Sequence, residues 1–126
     1  MDLFDEEWLA AAADALSDLP AIEGASVAVD YVVSGSPAGK VTIGVTVENG
    51  RVTALRAGKS ADPDLVISLT YDAALKILRG EMSSDAGYMN GALKVEGAHE
   101  RWMLELRPAR VAAIGALAPV MADTTT

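Results

Sequence analysis

Hydrophobic positions first recur at a helical interval. Around "DEEWLAAAADALSDL", residues 5–19, Phe4, Trp8, Ala12, Ala15 and Leu19 fall on one face, the spacing of an amphipathic helix. Ala and Leu favour that conformation. Acidic residues crowd its first turn, where the helix dipole stabilises them, and Pro20 predicts its end. The period then drops to two. In "SVAVDYVVS", residues 26–34, Val27, Val29, Tyr31 and Val33 share a face and Asp30 falls on the other, which predicts a strand. After the turn material "GSPAG", the stretch "KVTIGVTVENGRVTALRAG" alternates on both sides of Asn49-Gly50. That pair suits a two-residue type I′ turn, in which both positions need positive φ. The turn predicts Glu48 opposite Arg51, Val47 opposite Val52, Thr46 opposite Thr53 and Val45 opposite Ala54. Apolar then meets apolar and opposite charges meet, so the register is self-consistent.

"LVISLT", residues 65–70, is apolar on both faces apart from Ser68, as expected of a strand inside a sheet. Thr70 predicts the cap of a helix over 71–78, with Tyr71, Ala74, Leu75 and Leu78 as its buried stripe and Gly80 after its end. "SSDAGYM" predicts one short helix, capped by Ser83 or Ser84 and closed by Asn90-Gly91. "ALKVE" predicts a fifth strand with Leu93 and Val95 inward and Lys94 and Glu96 outward, ended by Gly97. "AHERWMLEL" reads as a helix stopped by Pro108. The segment "ARVAAIGALAPVMA" is apolar almost all round, with Val111, Ile114, Leu117, Ala118 and Met121 on one stripe. Strands and helices are segregated along the chain, so the class is α+β.

Composition narrows the function. The length of 126 residues suits one domain, 1–126, with residues 123–126 expected to form a disordered tail. A net charge of −8 argues against nucleic acid, which rewards basic patches, and against charge-driven docking on an anionic membrane. The apolar run from Val111 to Ala122 is shorter than the roughly 20 residues that span a bilayer, so no stable membrane insertion is expected. The start "MDLFDEEW" is acidic where a secretory signal is basic, and a cytoplasmic protein is the expectation. There is no cysteine and a single histidine, His99. Thiolate and multi-histidine metal sites are thereby excluded, and no cofactor is expected.

Catalytic groupings are scarce. There is no glycine-rich phosphate loop and no Gly-x-Ser-x-Gly elbow. His99 and Glu100 are helix neighbours about 100° apart and share no face. Asp30 lies mid-strand, where the bland reading is an exposed sheet face and the sharp one a general base. Tyr31, Tyr71 and Tyr88 can each hydrogen-bond a ligand or simply pack. Asp62 and Asp64 flank a proline, as turn residues do, and Arg51 and Lys94 read as surface cations. More informative are Met82, Met89, Met103 and Met121, near Trp102 and Leu106. Methionine adapts to irregular space, so this surplus suggests ordinary packing or an apolar cavity able to repack around a ligand.

The run "DLVISLT", a helix ending "LRGEM", then "DAGYMNGALKVEG" and "MLEL" resembles the sterol carrier protein type two family of lipid-binding domains. Tyr88, Met89, Asn90, Gly91, Leu93, Lys94, Val95 and Gly97 match its typical run, and Asp64, Leu65, Ile67, Leu69 and Gly80 match upstream. Ala92 stands where the family often has a basic residue. The resemblance implies a five-stranded, mostly antiparallel sheet with helices packed on one face and a hydrophobic tunnel between them. It also implies non-enzymatic binding or transfer of an apolar ligand such as a fatty acid, a fatty acyl-CoA or a sterol-like molecule. Expected cavity residues are Trp8, Tyr88, Met89, Trp102, Met103, Leu106, Ile114, Leu117 and Met121. Because each buried methylene contributes about 0.8 kcal/mol, affinity should come from the tail and the head group should be selected weakly. Two rival readings use the same surfaces. One is a small cyclase or isomerase acting through Asp30, Tyr31, Tyr88 or His99. The other is an interaction module whose apolar C-terminal helix forms a weak homodimer.

Overall fold

The computed structural model describes residues 1–125. Strands β1 (Val27–Ser36), β2 (Gly39–Glu48), β3 (Arg51–Ala57), β4 (Leu65–Thr70) and β5 (Leu93–Gly97) form one sheet in the order β3-β2-β1-β4-β5. Neighbours are antiparallel except β1 and β4, which run parallel. The sheet is therefore mixed, not purely antiparallel, and α+β with helices on one face is the architecture. Register explains the division of faces. Val29, Val45 and Leu65 lie in one row, and Tyr31, Ile43, Ile67 and Val95 in the next, all toward the helices. Thr42, Thr46, Ser68, Lys94 and Glu96 alternate with them on the outer face, as a period of two requires.

The hairpin keeps its turn and changes its register. Asn49 and Gly50 have φ of 50° and 82°, and Glu48 pairs with Arg51 and Val47 with Val52 as predicted. Beyond them Thr46 faces Ala54 and Val45 faces Leu55, because Thr53 is the extra residue of a bulge. Without it Ala54 would point inward and Leu55 outward. The bulge brings both Val52 and Leu55 to the covered face, where there is hydrophobic area to bury. Arg51, read as a surface cation, donates from Nε to the Leu19 carbonyl at 2.8 Å and pins the end of the first helical region to the hairpin tip.

Helix α1 (Glu6–Leu16) starts at the Asp5 cap, whose Oδ1 accepts from the Trp8 N–H at 2.7 Å. It ends before the proline, because the Ser17 hydroxyl takes the Asp14 carbonyl at 2.7 Å. Helix α2 (Tyr71–Leu78) has the predicted limits, and Thr70 Oγ1 accepts from the Ala73 N–H at 3.1 Å. Its most buried residues are Ala73, Ala74 and Ile77, while Tyr71, Leu75 and Leu78 are half-buried. The buried face is turned toward Ile77 because the helix packs on both the sheet and the last helix. Thr70→Ala should cost about 1 kcal/mol with no change in ligand binding, as urea unfolding and a binding titration will show.

Helix α3 (Ser84–Met89) is capped by Ser83. The expected helix over "AHERWMLEL" is a single wide π-type turn, Arg101–Glu105, closed by Leu106 N–H to Arg101 O at 2.9 Å. Helix α4 (Arg107–Ala122) follows at once, and Pro108 lies in its first turn, where no N–H is needed. Pro108 thus opens the last helix; it does not stop the previous one. The stripe is also rotated from expectation. Ala109, Leu117 and Val120 are buried and Val111 is 63% exposed, because α4 crosses both α1 and α2. Residues 123–125 of the expected tail are held: Thr125 N–H donates to Met1 O at 2.7 Å and Thr124 Oγ1 to Val120 O at 2.7 Å. Thr126 lies outside the described residues. Among the described residues no helix is long and apolar enough to cross a membrane.

Candidate functional site

Between the inner face of the sheet and helices α1, α2 and α4 lies a cavity of about 200 Å³. Its floor comes from alternate strand residues, among them Val29, Tyr31, Ile43, Val45 and Ile67. Its roof includes Trp8 and Leu16 from α1, Ala74 and Ile77 from α2, and Ala113, Ile114 and Leu117 from α4. An engineered apolar cavity of about 150 Å³ stays dry and takes up benzene, so a space of this size and lining is large enough for an apolar group of at least one ring. The wall is hydrocarbon apart from a few groups: the Ser84 hydroxyl, the Tyr31 hydroxyl, the Trp8 and Trp102 indoles, and Arg110.

Those polar groups are unevenly paired. The Trp8 and Trp102 Nε1–H groups are buried without a hydrogen-bond partner, which is uncommon for a buried donor. Arg110 stacks over the Trp102 ring, with Cζ 3.8 Å from the centroid. Its Nε donates to the Trp102 carbonyl at 3.1 Å, its Nη1 to the Ser84 hydroxyl and its Nη2 to Asp85 Oδ1 at 2.9 Å. Asp85 also accepts from Arg107 Nε at 2.6 Å. Burial pushes the Tyr31 hydroxyl above its ordinary pKa; the Arg110 charge and the Trp102 indole oppose that rise. The indole N–H is thus near enough to the Tyr31 oxygen to be felt, without hydrogen-bond geometry.

Hydrogen bonds from Arg107 and then Arg110 hold the Asp85 carboxyl below the usual aspartate range. A depressed carboxyl stabilises the fold above its unfolded value, and that contribution is lost as pH falls through the folded value. The stability of the native chain should therefore decline as pH drops below about 3.8, the ordinary aspartate value. Asp85→Asn should be less stable than the native chain at neutral pH, with the gap closing in strong acid. Urea unfolding at both pH values checks this.

The structure brings together five of the nine expected cavity residues and leaves four out. Trp8, Trp102, Leu106, Ile114 and Leu117 line the space. Met89 is 80% exposed at the end of α3, and Met103 is exposed on the wide turn. Tyr88 packs on Trp102 from behind, with centroids 5.7 Å apart, and Met121 packs in the cluster around α1. Tyr88, Met89 and Met103 lie in a six-residue helix and a single wide turn, whose orientation is set by what they pack against; Met121 lies near the end of α4, on the side that packs toward α1.

The candidate proton-transfer groups are likewise scattered. Tyr31 faces the cavity and His99 is exposed after β5. Asp30 is on the outer face as expected, yet only 3% exposed. The loop after β3 folds over it, and both carboxylate oxygens accept from the Ser60 N–H at 3.2 and 3.0 Å. Opposite Asp30, Gly44 leaves room for that loop: a Cβ there would lie 3.0 Å from Ser60 Oγ. Arg110 was not expected in the site. Its signal was its setting, since Arg107 and Arg110 are the only charges in a 16-residue helix.

A family model described as the SCP-2 sterol transfer family matches residues 6–103. The chain belongs to the SCP-2 sterol transfer family. Solved structures of sterol carrier proteins share the fold. A crystal structure of sterol carrier protein 2 superposes with a TM-score of 0.76 at 18% identity, covering 93% of this chain and 98% of that one. A conserved protein from Thermus thermophilus, described as possibly a sterol carrier protein, gives 0.68 at 18% identity over 95% and 90% of the two chains. The palmitated SCP2L2 of Aedes aegypti gives 0.55 at 15% identity over 69% and 72%. No curated protein sequence matches significantly. Membership supports lipid or sterol binding or transfer in general terms.

Proposed function

We propose that the chain carries an apolar lipid in this cavity, holding the hydrocarbon part between the sheet and α4, without chemical conversion. One observation supports the reading above the others: an apolar cavity walled almost wholly by hydrocarbon side chains, in a member of the SCP-2 family. Burying about ten methylenes contributes roughly 8 kcal/mol before ordering costs of several kcal/mol, whereas surface ion pairs give about 0–1 kcal/mol each. Fatty acids and sterol-like molecules are the ligand classes favoured. The Aedes aegypti relative in its palmitated form fits the first of them. Ala92 stands where the family often has a basic residue, and an alanine offers no charge to an acyl-CoA phosphate. The unpaired Trp8 and Trp102 donors suit a site that exchanges occupants, because each has an N–H for which a ligand can supply the acceptor.

Native mass spectrometry of the purified chain, with extraction of bound lipid, tests the proposal. A lipid adduct, and binding of a fluorescent fatty acid by the delipidated chain, are the expected results. A chain that is free of lipid and binds no such probe would refute it.

A further inference from the structure

The cavity has one charged residue on its wall, Arg110, and it lies in a chain of net charge −8. Its side chain is 10% exposed. A guanidinium is costly to bury unless its charge is matched. Here the match is incomplete. Asp85 is the one carboxylate in contact with it, and Asp85 is shared with Arg107, 2.6 Å away. Two cations and one anion leave the cluster with an excess positive charge. The donors show the same surplus. Arg110 has five N–H groups, and its three hydrogen bonds use one on Nε, one on Nη1 and one on Nη2. One N–H on each Nη is left over. Beside them are two more groups with spare capacity, the unpartnered Nε1–H of Trp102, which is 2% exposed, and the Tyr31 hydroxyl. Trp8 carries a second unpartnered indole N–H, but it belongs to the other hydrophobic cluster and has no cation on the wall beside it.

We infer that Arg110, with Trp102 Nε1 and the Tyr31 hydroxyl, forms a head-group site for a carboxylate at one end of the apolar cavity, so that the preferred ligand is a single-chain carboxylic acid bound with its tail toward α1. The inference rests on the reading of the cavity as a lipid site. Two N–H groups on one guanidinium match the two oxygens of a carboxylate, and such charge-assisted pairs are short and strong. The same ligand charge would complete the neutralisation that Asp85 leaves unfinished. Without Arg110, moving a carboxylate into a hydrocarbon-walled space would be strongly unfavourable. A neutral alcohol of equal chain length would gain the tail contribution alone. A phosphate head shares the chemistry, but the two N–H groups left on Arg110 match the two oxygens of a planar carboxylate.

The test compares palmitate, hexadecanol and a lysophosphatidic acid of the same chain length. Each displaces a neutral fluorescent hydrocarbon probe from the native chain and from Arg110→Gln and Arg110→Lys. The native chain should bind palmitate about tenfold or more tighter than hexadecanol at neutral pH, and the preference should fade as the carboxylate is protonated. Arg110→Gln should lose the preference for the acid over the alcohol, and urea unfolding of the variant shows separately that it is folded. Arg110→Lys should keep part of it. Equal affinities for acid and alcohol in the native chain, or a preference that survives Arg110→Gln, would overturn the inference and leave the lipid site standing. Tighter binding of the lysophosphatidic acid than of palmitate would overturn the choice of carboxylate. If the native chain binds none of the three, the lipid reading fails, and this inference fails with it.

Discussion

Ala113→Phe should weaken lipid binding by at least about tenfold while the chain still folds. Ala113 lies on α4 and contributes to the cavity roof. The phenyl group would occupy space that a ligand's methylenes need. Each methylene displaced removes about 0.8 kcal/mol of affinity, so two are sufficient for a factor of ten. The effect on stability should be small, because the ring enters an existing void of about 200 Å³ and is not forced into packed core, where overpacking costs about 1–3 kcal/mol. Displacement of a fluorescent fatty acid and urea unfolding, run on the same preparation, check both halves. Undiminished binding would place the ligand elsewhere on the molecule. Lost binding together with lost stability would mean that the cavity is not open space in solution.

Gly97→Ala should be the most damaging single-atom change in the chain. Gly97 has φ of 101°, and an added Cβ would lie 2.3 Å from the Asp64 carbonyl oxygen. Backbone conformation alone costs about 1–3 kcal/mol at such a position, and a clash with main chain cannot be relieved by a rotamer. The total should reach about 3 kcal/mol or more, in the range reserved for named defects of packing or backbone. The consequence reaches the site, because β5 carries Leu93, part of the cavity wall, and Val95. Gly91→Ala is the control. Its φ is 82°, but a Cβ there meets nothing within 4 Å, so only the left-handed conformation is penalised, at about 1–2 kcal/mol. Denaturant unfolding of both variants should show the difference. Equal losses would mean that the approach of Asp64 does not matter.

These two glycines bracket a segment whose conformation was readable in the sequence. A short alternating run between glycines predicted β5 with Leu93 and Val95 inward, and both are buried. The reason for Gly97 was not readable. It depends on Asp64, 33 positions earlier, whose carbonyl accepts from the Ala98 N–H while its own N–H bonds Ala28 O at 2.8 Å. Asp64, read as a turn residue, in this way ties β1 to the end of β5.

Local signals determined a great deal on their own. The Thr70 cap, the Asn49-Gly50 turn, the limits of β4 and α2 and the inward set of β5 all follow from contacts within a few residues, and caps, turns and periods are short-range physics. The apolar surplus of the C-terminal half likewise pointed to a space between layers. Tertiary structure decided what each surplus residue faces. The Thr53 bulge exists because Leu55 has hydrocarbon to bury it. The β1–β4 pairing is parallel because the loop after β3 crosses the outer face of the sheet, over Gly44 and Asp30, and returns the chain to the end at which β1 begins. Asp30 is buried because a distant loop covers it, and Met89 and Met103 are exposed because short segments take their orientation from what they pack against. Arg110 is the clearest case: within its helix it is one of two arginines among apolar residues, and only the approach of Trp102, Asp85 and the sheet turns it into a charge on the wall of an apolar cavity. Periodicity records which residues leave water. Which of them meet depends on contacts between segments far apart in the chain.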